Sequence, residues 1–459
     1  MNKFLFCLSL FLLMACDEEK KESPTVFFAG EIVNPTSDHI VLYRGDVVID
    51  SALLDESNRF SIKLDSVRPG LHHFYHYPEY QFVYLGKGDS IQLRLNTIEF
   101  DESLVFSGIG EEVNNFLIEM FLVHENEKEM VYSLYHLEPN LFISKTDSLR
   151  ATKLQALESL AKETQLSECA YNIAKANINY ESYISREAYP FYHKRNKGEK
   201  DIHHLPKDFY DYRKQINYKD EDLTYLRPYY NFMIYHLGNL AYMECKDNCG
   251  GDMNIASNQL HYNRHKLKLT DSLIKQAELR DNLFRHFAVN YLLKPDQEEN
   301  IHAFIAEFKD RSGNNRHMDE ITNLYEGIKK MQPEKELPDF IVHTTDDQKV
   351  SLKEITANKN VVFYFWSGAE QKHFRNITKR IAKLKKEHPE YTFIGLNMRT
   401  DKLRWKSIVE TSGLDKDEQF WTEDFEEASH TLVVYDANKS IICKDGVIVD
   451  AFANVWSSF

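Results

Sequence analysis

From Val361 to Trp366 the chain reads Val-Val-Phe-Tyr-Phe-Trp, six residues without a charge. A β-branched and aromatic run of this length reads as a strand. A few residues later the period changes. Phe374, Ile377, Ile381 and Leu384 share one face of a helix over about Gln371 to Glu387. Its other face carries Lys372, Arg375, Lys379, Arg380, Lys383 and Lys386, a solvated basic surface. A strand at Tyr391–Asn397 and a helix at about Lys402–Ser412 follow. Thr431–Tyr435 is expected as another strand, and Ile441–Cys443 turns at Lys444-Asp445-Gly446 into Val447–Val449 as a hairpin. Strand–helix–strand units closed by a hairpin define an α/β domain with parallel and antiparallel pairing. Leu337-Pro338-Asp339-Phe340 opens it, so it spans residues 337–459.

Two other units precede it. Residues 25–108 hold short β-rich runs at Val26–Phe28, Ile40–Tyr43, Phe60–Leu64 and Ile91–Leu95, separated by turn formers such as Asn34-Pro35 and Arg68-Pro69-Gly70. Their alternation predicts half-buried antiparallel strands in a β-sandwich. His72, His73 and His76 lie here, but in a strand His72 and His76 stand ~13 Å apart at ~3.3 Å per residue, too far to share one ion. They read as structural or surface histidines. Residues 109–333 turn helical: Leu154, Leu157, Leu160 and Ala161 share a face, as do Ile301, Phe304, Ile305 and Phe308. Asp296 with Glu299 reads as the cap of that second helix. Aromatic residues such as Tyr183, Tyr189, Phe191, Tyr192, Phe209, Tyr210 and Tyr212 are expected in its core.

The chain has 459 residues, is 42% hydrophobic, and carries 71 acidic against 56 basic side chains, for a net charge of −15. That is a globular composition, and the acidic balance excludes nucleic acid as the main partner. Residues 1–15 have a positive start at Lys3 and an apolar run, Phe4–Met14, too short to span a bilayer but suited to a signal peptide. The run ends in Leu13-Met14-Ala15-Cys16, which resembles a bacterial lipobox. That resemblance implies cleavage before Cys16, lipidation of its thiol and anchorage by several acyl chains. The charged segment 16–24 is then a solvated tether. The expected place is the cell envelope, lipid-anchored and on the outer membrane, with an acidic cluster after Cys16 like that of some surface-exported lipoproteins.

Val361–Trp366, Phe393-Ile394-Gly395-Leu396-Asn397, Trp405 and Tyr435-Asp436 together resemble the thioredoxin-like domain of TlpA-like envelope thiol–disulfide oxidoreductases, over about Leu337 to Ala453. The resemblance implies a Cys-x-x-Cys just after the Phe-Trp strand end, where a helix N-terminus lowers a thiol pKa. Here Glu370 and His373 occupy those two positions, and His430 stands where the family has a cis-proline. Thiol–disulfide exchange needs sulfur at both positions, so dithiol chemistry is not expected. Glu370, His373 and His430 could form a metal or acid–base site only if they converge. A non-proline cis bond costs roughly 2.5–4 kcal/mol, so a trans peptide before His430 is expected to reroute the loop, and no metal is assigned there.

Cys245-x3-Cys249 with His261 and His265 approximates zinc-finger spacing, but only eleven residues separate Cys249 from His261, and Cys249-Gly250-Gly251 reads as a helix end. A disulfide between Cys245 and Cys249, or two thiols, is expected instead, and no cofactor. The sequence thus reads as a redox-inactive thioredoxin-like lipoprotein acting as a binding or scaffold module for an envelope protein or small ligand. The rival reading is an enzyme: a thiol–disulfide oxidoreductase using Cys245 and Cys249, or a metal-assisted activity at Glu370, His373 and His430.

Overall fold

The computed structural model describes residues 25–248, 258–294 and 296–459. The signal segment, Cys16, the tether and Cys249 lie outside the described residues. No helix among the described residues is long and apolar enough to cross a membrane.

Eight strands build the N-terminal unit: β1 (Val26–Val33), β2 (His39–Arg44), β3 (Val47–Leu53), β4 (Arg59–Leu64), β5 (Gly70–His76), β6 (Glu79–Leu85), β7 (Ser90–Asn96) and β8 (Val105–Ile109). They form two four-stranded sheets, ordered β4-β1-β7-β8 and β3-β2-β5-β6. Phe28, Ile62, Leu93, Leu42, Phe74 and Val83 fill one shared core, drawn from both sheets. β4 alternates buried and exposed along its whole length, as a strand packed on one face must. One pairing departs from the antiparallel expectation: β1 and β7 run parallel. They touch closely, since a Cβ on Gly30 would sit 2.6 Å from the Leu93 carbonyl oxygen.

The strand periodicity sorts the three histidines. His72 and His76 share the buried face of β5 with Phe74. His76 accepts from the Thr36 amide at 3.1 Å and contacts the His39 carbonyl, also at 3.1 Å, through its other nitrogen. Burial lowers the His72 imidazole to about 4. His73 faces the other way and stacks on Tyr43 at 4.8 Å.

The helical part begins with a single turn, α1 (Phe100–Ser103), then α2 (Glu111–Leu134), α3 (Pro139–Thr164), α4 (Glu168–Lys197), α5 (Arg227–Asn248), α6 (Gln259–Leu273), α7 (Ala277–Leu292), α8 (Glu298–Ser312) and α9 (Met318–Lys330). Ile301, Phe304, Ile305 and Phe308 form the buried stripe of α8. The cap of that helix differs from expectation: Gln297 precedes its first turn and makes no side-chain cap bond. Asp296 instead accepts from Tyr291 Oη at 2.6 Å, Asn300 Nδ2 at 2.7 Å and the Gln297 amide at 2.7 Å.

The C-terminal part comprises β9 (Ile341–His343), β10 (Lys349–Ser351), α10 (Leu352–Thr356), β11 (Asn360–Trp366), α11 (Gln371–Glu387), β12 (Thr392–Asn397), α12 (Lys402–Ser412), β13 (Gln419–Trp421), α13 (Phe425–Leu432), β14 (Lys439–Lys444) and β15 (Val447–Asn454). Its seven-stranded sheet has the order β10-β9-β13-β12-β11-β14-β15. β11 pairs parallel with β12 and antiparallel with β14. The apolar run of β11 now has its explanation. Val361, Phe363 and Phe365 point into a core shared with α9 and α13, whereas Val362, Tyr364 and Trp366 point to α11 and α12. A strand covered on both faces has no polar side.

Thr431–Tyr435 is not a strand. Asp424 caps α13 through the Glu427 amide at 2.9 Å, and the helix carries the chain through Leu432 before Val433 turns left-handed at φ 54°. The antiparallel neighbour of β11 is therefore β14, the first arm of the terminal hairpin.

Candidate functional site

The resemblance directs attention to the C-terminal end of β11. Ser367-Gly368-Ala369 carries the chain from that strand into α11. The Gly368 amide donates to Thr400 Oγ1 at 2.7 Å. A Cβ there would lie 2.5 Å from Ile408 Cδ1 and 2.9 Å from Thr400 Cγ2, so a larger residue would have to push these side chains aside. Glu370 stands at the N-cap of α11 without a side-chain cap bond, and His373 lies in the first turn. Both line a pocket of about 120 Å³ with Trp366, Arg399, Tyr435 and Ala437. No cysteine lines this pocket.

His430 does not join them. It lies exposed on α13, because the helix replaces the expected strand. The segment leading into the strand beside β11 is Val434–Ala437, which lines the pocket in its place. Glu370, His373 and His430 are not among the groups of described residues whose donor atoms converge. Cys443, the domain's only cysteine, sits in β14 opposite Val361. It is fully buried, and burial pushes its thiol up to about 12.

Two residues at this site gave no sequence signal. Tyr77, from the loop after β5, donates its hydroxyl to the Arg399 carbonyl at 2.7 Å. The Arg399 guanidinium lies 3.8 Å from the Phe425 ring centroid, and its backbone is left-handed at φ 53°. The sandwich therefore reaches the end of the C-terminal sheet. Burial raises the Tyr77 phenol, so it remains a neutral donor.

A larger space lies among the helices. One cavity of about 320 Å³ is walled by Tyr132, Arg150, Lys153 and Tyr192. A second, about 650 Å³, opens beside β6 at Tyr80, Phe82 and Arg227. Both are lined by His124, Glu181 and Tyr235. Burial pushes the Glu181 carboxyl up to about 7, and His124 Nε2 lies 3.2 Å from Glu181 Oε2. Both cavities mix aromatic side chains with charged and polar ones, more than the mostly apolar wall usual for a small-ligand site.

The third cluster involves residues singled out by their spacing. Cys245, buried in the last turns of α5, and His261 and His265 of α6 offer donor atoms that all lie within 4.8 Å of one another. The sequence reading assigns no metal here; the structure brings the two imidazoles of α6 beside the thiol of α5. A further grouping, Glu138 with His193 and His203, links the start of α3 to the end of α4.

The C-terminal sheet, with parallel β11 and β12, antiparallel β14 and a helix leading off the end of β11, is a thioredoxin-like fold. No family model matches the chain, and no curated protein matches it. Solved structures do. A thioredoxin-like protein from Bacteroides caccae is 13% identical, with 54% of this chain and 87% of that chain covered and a TM-score of 0.33. The thioredoxin domain of a thiol-disulfide oxidoreductase from Bacteroides vulgatus is 18% identical, covering 26% of this chain and 86% of that one, with a TM-score of 0.21. The pneumococcal exposed lipoprotein thioredoxin from Streptococcus pneumoniae is 16% identical, covering 25% and 87%, again with a TM-score of 0.21.

Proposed function

We propose that the chain is a redox-inactive thioredoxin-like lipoprotein of the cell envelope, anchored through Cys16 to the outer membrane. It serves as a binding or scaffold module for an envelope protein or a small ligand. One observation supports the reading: the pocket at the end of β11, where the resemblance expects a dithiol, is lined by Glu370 and His373 and by no cysteine, while Cys443 is buried in β14. Exchange proceeds through thiolate attack and a mixed disulfide. A carboxylate and an imidazole can perform neither step. The cavities beside Glu181 and His124 support a binding role for the helical part.

Reduction of insulin by dithiothreitol tests the proposal. The purified chain is expected to leave the background rate unchanged while a thioredoxin control accelerates it. Turnover well above background that persists in a Cys245→Ser variant overturns the assignment of Glu370 and His373 to the dithiol positions.

A further inference from the structure

Cys245, His261 and His265 are used neither by the sheet-end pocket nor by the helical cavities. Their placement is specific. His261 and His265 stand one helical turn apart, so their side chains leave the same face of α6, and their ring centroids are 4.6 Å apart. The Cys245 side chain comes from the facing helix and is fully buried, whereas both histidines are half-buried. The three donor atoms lie within 4.8 Å of each other. Such a triangle has a point no more than about 2.8 Å from each corner, and zinc needs about 2.3 Å to sulfur and about 2.0–2.1 Å to nitrogen. Side-chain adjustments of under 1 Å or so close the difference.

The donor set suits that ion. One thiolate and two neutral imidazoles are borderline-soft ligands of the kind zinc prefers, and they reduce its charge in a partly buried place. An outer carboxylate is also present: Glu244 Oε2 lies 3.5 Å from His265 Nδ1, and its other oxygen is 3.4 Å from Lys268 Nζ. Metal-bound histidines commonly keep such a carboxylate behind the ring, where it fixes ring orientation and raises basicity.

We propose that Cys245, His261 and His265 bind a zinc ion that clips the end of α5 to the start of α6. Binding forms the zinc–sulfur bond as the Cys245 thiol loses its proton to solvent, and the imidazoles bind through lone pairs without proton loss. Cys249, the remaining residue of the sequence pattern, lies outside the described residues, and these three residues carry the proposal without it. Three protein ligands leave the fourth tetrahedral position of the zinc to a water molecule, and the site is independent of the state of the sheet-end pocket.

Elemental analysis of the full chain, purified without chelator and then dialysed from zinc-containing buffer, is expected to find one zinc per chain. Cobalt titration should give a thiolate-to-cobalt charge-transfer band, which Cys245→Ser abolishes. His261→Ala and His265→Ala should each weaken zinc binding at least tenfold, and Glu244→Gln by about 10–100-fold. His261 is half-buried at the helix surface, so its variant keeps the test decisive even where Cys245→Ser fails to fold, with circular dichroism as the check. Less than a tenth of an equivalent of zinc in the wild-type chain overturns the proposal, as does unchanged zinc in a His261→Ala, His265→Ala double variant. Recovery of Cys245 in a disulfide after non-reducing digestion overturns it too.

Discussion

Replacing Glu187 with glutamine removes a charge from the interior of the helical part. Its carboxylate on α4 is fully buried and has four polar contacts. Tyr212 Oη donates to Oε1 at 2.7 Å and Arg213 Nε at 2.9 Å. Arg213 Nη2 bonds Oε2, and His236 Nδ1 of α5 lies 2.7 Å from Oε1. The Nε2 of the same imidazole lies 2.7 Å from Tyr218 Oη, so one carboxylate ties α4, α5 and the segment between them. The variant leaves the Arg213 guanidinium without its counter-charge, and breaking one side of a buried pair costs about 3–5 kcal/mol. Urea unfolding should show that loss. Adding Arg213→Met should recover part of it, because a neutral pair of similar volume avoids the orphaned charge. The acid limb supplies a second readout. Burial alone raises the Glu187 carboxyl, but His236 and Arg213 overcome it and hold the group below the usual glutamate range. A carboxyl depressed in the folded state stabilises it above the unfolded pKa of about 4.3, and that stability disappears as pH falls through the folded value. The wild type should therefore lose stability on acidification below about pH 4.3, and Glu187→Gln should show a shallower loss. A cost under about 1 kcal/mol together with an unchanged acid limb refutes this account of the network.

Two further outcomes are expected. Metabolic labelling with palmitate should mark the wild type and not the Cys16→Ala chain, and label surviving that change removes the anchor from the proposal. Gly30→Ala should destabilise by about 1–3 kcal/mol, because β1 and β7 approach too closely for a methyl group. A thermal melt identical to wild type shows that the sheet gives way there.

The elements legible in the sequence were those whose partners do not matter to their pattern. The β11 run stands out because both of its faces are covered, and α11 because one face alone is apolar. Thr431–Tyr435 misleads for the opposite reason. Its β-branched residues suit a strand, but the Asp424 cap and the acids of the first turn, Glu426 and Glu427, extend a helix to Leu432. A three-residue strand such as β13 offers too little pattern to read, and it exists through pairing with β12 and β9. The candidate site divides in the same way. Glu370 and His373 follow from their distance to Trp366 along the chain. Tyr77 meets Arg399 across 322 positions, which no local pattern encodes. Spacing alone marked Cys245, His261 and His265, and it carries no information on the return of α6 onto α5 that brings their donor atoms within 4.8 Å.

The contact between Tyr77 and Arg399 also bears on the proposed scaffold role of the C-terminal sheet. Exchange chemistry needs the end of the strand open, since the attacking thiolate and the partner disulfide must meet there. In this chain that end holds a pocket of only about 120 Å³, and the sandwich is hydrogen-bonded to its rim. The inner face of the sheet is occupied as well, because α9 packs on α13 so closely that a Cβ on Gly327 would lie 3.0 Å from Val433. The sheet is thus bound on one face by the helices and at its end by the sandwich. Holding those two units in register depends on the shape of the sheet, and a cavity of about 650 Å³ lies between them, beside β6 and Glu181. Under the proposed scaffold role, Glu370 and His373 are tolerated at the strand end because nothing there has to react.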